Sequence, residues 1–252
     1  MKVSIITVVW NNAKTIQNAI DSVISQTHKN IEYIVIDGAS TDGTVEIVRM
    51  YGENISKFVS EADKGLYDAM NKGIALVSGD LVGILNSDDF YAYSDAIKDV
   101  VTVFESDANV GIVYGDLLYV DAQDVSKTVR TWESGEYRAG LFESGWHPPH
   151  PSFFVRKKVY DEFGLFNTGL KIAADYELML RLMHKYSVKA AYIPKVFVKM
   201  RTGGASNGSI FGIVKANIEC LRAWNINGFG IRPMIFFKKP ISKIKQLFKG
   251  RK

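Results

Sequence analysis

Residues 31–44 read IEYIVIDGASTDGT, an apolar run that stops on Asp37 and turns through Gly38 and Gly43 into a helical pattern. Asp is a poor strand former and is costly to bury without a partner, so the run is a strand with its acid at the end. Working outward, residues 3–9 (VSIITVV) read as a buried strand stopped by Asn11 and Asn12. Residues 13–26 place Ile16, Ala19, Ile20, Val23 and Ile24 near helical spacing, an amphipathic helix. After Asp37 a helix opens in STDGTVEIVRMYG, with Ser40 or Thr41 available as its cap and Asp42 as the better cap or turn candidate. KFVSEA (57–62) is a short strand, GLYDAMNKGIALVS (65–78) a helix, and DLVGILNSDDF (80–90) a fourth strand. This alternation predicts an α/β fold with a mainly parallel central sheet flanked by helices. Asp37, Glu61 or Asp63, and Asp88 with Asp89 all fall at carboxyl ends of strands, the edge where open α/β sheets bind ligands.

The second half continues with a helix near 94–105, strands in GIVYGDLLYVD (111–121), and a polar excursion from 122 to 135. A strand and short helix follow in PSFFVRKKVYDEFGLF (151–166), then a clear helix in DYELMLRLMHKY (175–186) and late strands in AAYIPKVFVKMR (190–201). No linker or repeat divides the chain. One domain over 1–228 is expected, with a nucleotide-binding half (1–115) and an acceptor-binding half (116–228), followed by a basic tail at 229–252. The single cysteine excludes an internal disulfide framework and a cysteine-built zinc site. No apolar run reaches the length of a spanning helix, and the first residues read as a strand rather than a signal peptide. The net charge of +4 comes from the tail, which holds eight Lys and Arg and no acid; the remainder has 23 basic against 27 acidic residues. That balance argues against a nucleic-acid binder.

The glycine-rich phosphate loop of dinucleotide folds is absent: the first strand ends in VVWNNAKT. A phosphate needs another counter-charge. Asp88 and Asp89 offer hard oxygen ligands for Mg2+ or Mn2+, which bridge phosphate oxygens, although adjacent aspartates are also common in turns. Asp37 is placed to accept from a base or ribose, or to cap the next helix. Lys64 is near enough to meet a phosphate or base, or is a surface lysine. WHPPHPS (146–152) is stiffened by three prolines. His147 and His150 face a substrate or solvent, and Trp146 with Phe153 offers an aromatic rim for a sugar; zinc is disfavoured because no matching third and fourth ligands appear. Asp175, in AADYE (173–177), opens a helix as a cap or as a general base, with Glu177 a second candidate.

Taken together, VSIITVVWNN, VIDGASTDGT, EADKGLYDAMNKG, LNSDD and AADYE resemble family 2 glycosyltransferases with the GT-A nucleotide-diphospho-sugar transferase fold, over roughly residues 1–205. The relatives are of the kind that builds bacterial exopolysaccharide, O-antigen or colanic acid. The resemblance implies that Val9, Asn11, Asp37, Lys64, Gly65, Asn71, Gly73, Ser87 and Asp88 surround a nucleotide, with UDP favoured. It implies that Asp88 and Asp89 hold the metal and that Asp175 is the base of an inverting transfer to a hydroxyl. Trp146, His147, His150, Glu177 and Arg201 (in MRTGGAS) fall on the acceptor side, with Arg201 meeting phosphate. Asn86 stands where many relatives have Asp. The QxxRW motif and membrane spans of processive relatives are absent, so transfer of a single sugar to a saccharide or lipid-linked saccharide is expected. A nucleotidyltransferase and a non-catalytic sugar-nucleotide-binding protein are the alternatives.

The tail, FGIRPMIFFKKPISKIKQLFKGRK, sets apolar anchors among lysines. It is expected to contact an anionic membrane surface, which makes the protein cytoplasmic and peripheral on the inner face of the cell membrane; the bland reading is a packed helix and a solvated end.

Overall fold

Strand β1 (Val3–Val9) is buried along its whole length, which is why it reads as an unbroken apolar run rather than an alternating one. It pairs in parallel with β2 (Ile31–Asp37) on one side and β4 (Leu81–Asn86) on the other, and β3 (Lys57–Ser60) extends β2. The computed structural model describes residues 1–203 and 210–230. Its nine-stranded sheet runs β3-β2-β1-β4-β8-β6-β9-β5, with β7 paired to β6. The β3-β2-β1-β4 side of the order is all parallel. Beyond β4 the sheet is mixed: β8 (Phe153–Arg156) runs antiparallel to both β4 and β6 (Ile112–Val120), while β9 (Ala190–Arg201) is parallel to β6.

Helices α1 (Ile16–Ile24), α2 (Thr44–Met50) and α3 (Leu66–Ala75) connect parallel strands, as such pairings require, and α4 (Ala96–Ser106) leads into β6. One apolar cluster joins α1 and α4 to one face of the sheet, and another joins α3 to the opposite face. Gly73 permits the close approach of α3: a Cβ there would lie 2.5 Å from Ile6 Cγ2. Gly65, at φ +116°, makes the turn into α3 that side chains rarely adopt.

Four expectations change. The helix after Asp37 is not capped by Ser40 or Thr41. Gly43 precedes it, and Asp42 Oδ1 accepts from the Thr44 amide and hydroxyl. The strand expected over 80–90 breaks at Asn86, and β5 (Asp89–Tyr91) pairs antiparallel with β9 instead. The polar excursion contains β7 (Thr128–Trp132), an edge strand whose alternation was too weak to see. Helix α5 (Lys157–Phe163) is as expected; α6 (Ala174–Met179) runs on through a π-helical turn, Leu180–Lys185. Helix α7 (Ile210–Ile226) was not anticipated. No helix among the described residues is long and apolar enough to cross a membrane. The basic tail beyond Gly230 and the GAS of MRTGGAS beyond Gly203 lie outside the described residues.

Candidate active site

The carboxyl edge of β3-β2-β1-β4 gathers the acidic strand ends. Two loops line it. Asn11, in the left-handed region at φ 46°, donates its amide to Ser40 Oγ and accepts from the Thr41 amide at 2.8 Å. The Asn12 and Ala13 amides reach Thr44 Oγ1 and Asp42 Oδ2. Asn11, expected at the nucleotide, therefore stitches the β1 loop to the β2 loop. Val9 is buried beneath them at 5% exposure. Between these residues Trp10, which the motif reading passed over, stands 69% exposed, with its ring edge over Gly38 beside the Asp63 carboxylate. A large aromatic left in water directly after a buried strand is the signal that could have found it.

Asp37 is fully buried. Its Oδ2 accepts from the Ser40 amide at 3.0 Å and Ser60 Oγ at 2.6 Å, and its Oδ1 has no partner among the described residues. A buried acceptor without a donor calls for an explanation, and a ligand N–H supplies one. Asp63 Oδ1 accepts from the Gly65 amide, while the Lys64 amide goes to Asp68 and the Lys64 carbonyl to Lys171. The Lys64 side chain is exposed. Asn71 departs from expectation: its Nδ2 donates to Phe166 O at 2.9 Å and its Oδ1 accepts from Phe166 N at 3.0 Å. Its amide bridges α3 to the loop before α6 rather than lying open to a nucleotide.

The aspartate motif splits in two. Asp88 is half-buried; burial pushes its carboxyl above the usual range, against the pull of its own amide and of Arg201. Asp89 is fully buried, accepts from Asn86 Nδ2 at 3.0 Å, and keeps Oδ1 without a partner among the described residues. Burial, then the neighbouring Asp88 charge, drives its carboxyl well up. Of the two expected metal ligands, only Asp88 meets solvent. Ser87 Oγ accepts from Asn12 and its carbonyl from Thr15, fastening the motif to α1. Arg201, expected to meet phosphate, is 8% exposed. It donates to the Asp88 carbonyl at 2.6 Å and Asn18 Oδ1 at 3.0 Å, and lies 5.0 Å over the Phe90 ring. It braces the motif from behind.

No group of three His, Cys, Asp or Glu side chains among the described residues is arranged to hold a metal. The donor set still fits a hard cation that takes its other oxygens from phosphate and water, which is how Mg2+ and Mn2+ sit in diphosphate sites. Asp88 contributes one such oxygen pair between β4 and β5, with the Arg201 charge acting on it.

Asp175 lies half-buried in the first turn of α6. Its Oδ1 accepts from Tyr67 Oη at 3.1 Å, and the same hydroxyl lies 2.8 Å from Ile172 O. Tyr67 belongs to α3, which starts at the end of the Asp63 loop, so this contact brings Asp175 beside the loop that follows β3. Burial and then the Asp175 charge raise the Tyr67 phenol well above its ordinary value, so it remains a donor.

The acceptor-side residues divide. His150 is buried; desolvation lowers its pKa, with Asp175 pulling the other way, and its ring edge meets Phe166 at 5.5 Å. His147 is half-buried, with ring contacts to Trp132 at 5.0 Å and Tyr176 at 5.4 Å. Trp146 donates Nε1 to Ser134 O and packs against Tyr137 and Phe142, part of the core rather than an open rim. Glu177 is 1% exposed, paired with Arg181 at 3.0 Å and bonded by Asn227. It is a structural ion pair and no candidate base.

This sheet, parallel through β3-β2-β1-β4 and with acidic strand ends at its carboxyl edge, has the architecture of the GT-A glycosyltransferase fold. The sequence profile described as "Glycosyl transferase family 2" matches residues 4–164, and the chain belongs to that family. It is 26% identical over 208 residues to a "PGL/p-HBAD biosynthesis glycosyltransferase" of Mycobacterium bovis, covering 81% of this chain and 78% of that one. It is 31% identical over 209 residues to an uncharacterized glycosyltransferase of Rickettsia typhi, covering 81% and 64%. Among solved structures, S. aureus TarS 1–349 in complex with UDP-GlcNAc superposes with a TM-score of 0.68 at 17% identity, covering 90% of this chain and 65% of that one. The mannosyltransferase PcManGT of Pyrobaculum calidifontis, in complex with GDP-Man and Mn2+, superposes at 0.66 with 21% identity, covering 99% and 70%. These likenesses establish the fold.

Proposed function

We propose that the chain transfers a single sugar, with inversion, from a nucleotide-diphospho-sugar to a hydroxyl of a saccharide or lipid-linked saccharide acceptor. The observation that carries this is Asp175: a half-buried carboxylate in the first turn of α6, within hydrogen-bond reach of Tyr67 at the start of α3. Asp175 takes the proton from the acceptor hydroxyl as its oxygen attacks the anomeric carbon. One base without a covalent sugar intermediate gives inversion, by the direct-displacement logic of glycosidases. Asp37 Oδ1, without a partner, accepts the ring N–H of the base, and Trp10 lies over the base's face. UDP is the favoured nucleotide, as the motif resemblance implies and as in the TarS complex with UDP-GlcNAc. Asp88 would hold Mn2+ or Mg2+, which when bound neutralises the departing diphosphate. Arg201 keeps the Asp88 backbone in place for that role. The described PGL/p-HBAD relative supports a cell-envelope acceptor. Attachment to a membrane surface is assigned to the tail.

The test is release of UDP from UDP-sugars with Mn2+ across a panel of short lipid-linked saccharides, followed by mass spectrometry of the product. Asp175→Asn is expected to bind UDP as the wild type does and to lose at least a hundredfold in transfer. Full transfer by that variant would remove the base assignment, and a product with retained anomeric configuration would remove the displacement mechanism.

A further inference from the structure

The three residues before α6 end on a carboxylate from the last helix. Glu219 of α7 is 4% exposed. Its Oε2 accepts from the amides of Lys171 at 3.0 Å, Ile172 at 2.7 Å and Ala173 at 3.0 Å, and its Oε1 lies 3.1 Å from the Lys171 amide. Three successive backbone donors converging on one buried carboxylate form a rigid, charge-assisted clamp. The clamped segment leads directly into Asp175. The single Tyr67 hydroxyl proton is shared between the carbonyl of its middle residue, Ile172, at 2.8 Å and Asp175 Oδ1 at 3.1 Å. Helix α7 reinforces the grip further along: Trp224 Nε1 donates to Tyr176 Oη at 2.8 Å, and Asn227 Nδ2 donates to Glu177 at 2.9 Å. The residues flanking Asp175 are thus fastened to α7, while Asp175 itself is left for Tyr67 and the substrate.

We propose that Glu219 is a positioning residue for the transfer, setting the aim of the Asp175 carboxylate by fixing the backbone at 171–173. The inference rests on the reading of Asp175 as the base. A general base must sit within hydrogen-bond reach of its proton, and displacement by about 1 Å costs on the order of a hundredfold in rate. Glu219→Gln keeps the shape but turns an amide –NH2 toward backbone N–H groups and loses the charge. Nothing in the clamp touches Trp10, Asp37 or Asp88; Lys171 Nζ donates to the Lys64 carbonyl at 3.3 Å, a side-chain contact that Glu219→Gln leaves in place.

The experiment uses the full chain. UDP with Mn2+ measures nucleotide affinity, UDP release from UDP-GlcNAc, UDP-glucose or UDP-galactose in excess over release without acceptor, with the short lipid-linked saccharides as acceptors, measures transfer, and amide hydrogen exchange follows residues 171–173. Glu219→Gln is expected to lower kcat by about ten- to a hundredfold while UDP affinity and donor KM stay within about twofold. Exchange at 171–173 is expected to quicken. Glu219→Asp, which keeps the charge on a shorter stem, recovers part of kcat and replaces Gln if that variant does not fold. In the Asp175→Asn background Glu219→Gln costs no further transfer, because no base is left to aim. Wild-type kcat in Glu219→Gln, or an equal fold-loss in both backgrounds, overturns the positioning role. Normal transfer by Asp175→Asn alone overturns the base assignment, and the positioning role with it.

Discussion

Replacing Arg201 by Met tests whether the aspartate motif is pre-set for a nucleotide. Methionine keeps an unbranched apolar stem over Phe90 and removes only the guanidinium. Two charge-assisted hydrogen bonds go, to the Asp88 carbonyl at 2.6 Å and to Asn18 Oδ1 at 3.0 Å. Each is worth about 1.5–3 kcal/mol. Relaxation and water return part of that, leaving a net loss of about 2–4 kcal/mol, or about 5–15 °C in Tm at this chain length. The second consequence is on binding. With the brace gone, Asp88 must be ordered by the ligand, at about 1–2 kcal/mol, while Ser87 stays fastened through Asn12 and Thr15. Affinity for UDP with Mn2+ should fall by about five- to thirtyfold, since each 1.4 kcal/mol is a factor of ten. Calorimetric titration and thermal unfolding measure both on the same sample. Arg201→Lys, able to reach one acceptor at a time, should fall between. A lowered Tm with unchanged UDP affinity would show that the brace serves stability alone. An unchanged Tm would refute the hydrogen-bond account outright.

Trp10→Ala is expected to leave Tm unmoved, because the ring is 69% exposed, and to weaken UDP binding by about five- to a hundredfold, the worth of one base–aromatic stack. Gly73→Ala forces a methyl to 2.5 Å from Ile6 Cγ2; overpacking of about 1–3 kcal/mol, less about 1 kcal/mol of helix propensity, should lower stability by about 1 kcal/mol in urea unfolding, and Ile6→Ala in the same chain should relieve the clash non-additively. Glu32 governs acid stability at the opposite end of the sheet. Burial pushes its carboxyl up, but the Ser4 and Ser78 hydroxyls, the Ser78 amide and Lys57 outweigh that and hold it far below the usual range. A depressed folded pKa gives stability that is present above the unfolded value, about 4.3, and is lost as pH falls below it. Glu32→Gln should therefore cost about 2 kcal/mol at pH 7, discounted for the half-exposed Lys2 and Lys57, and progressively less toward pH 3 in denaturant melts.

Strand ends carried most of what the sequence could tell. Asp37, Asp88 and Asp175 each follow or open a strongly patterned element, and pattern survives folding because burial enforces it. What could not be read was which polar groups satisfy one another across the chain. Asn71 meets Phe166 from 95 residues away, and Arg201 meets Asp88 from 113 residues away. Both look, in sequence, like free ligand contacts. Glu177 sits two residues from Asp175 with the same chemistry, but helix geometry turns it inward to Arg181 and Asn227. Strand β7 escaped because it is a polar edge, and α7 because its apolar residues are spread around the helix rather than striped.

The contrast between Trp10 and Trp224 carries a practical consequence. The chain has four tryptophans; Trp224 is fully enclosed, Trp132 and Trp146 are partly covered, and Trp10 alone stands mostly in water at the rim. Its emission should be red-shifted relative to the others and open to iodide. The protein thus carries its own optical reporter: donor occupancy becomes readable as quenching of one fluorophore, without a label and without knowing the sugar.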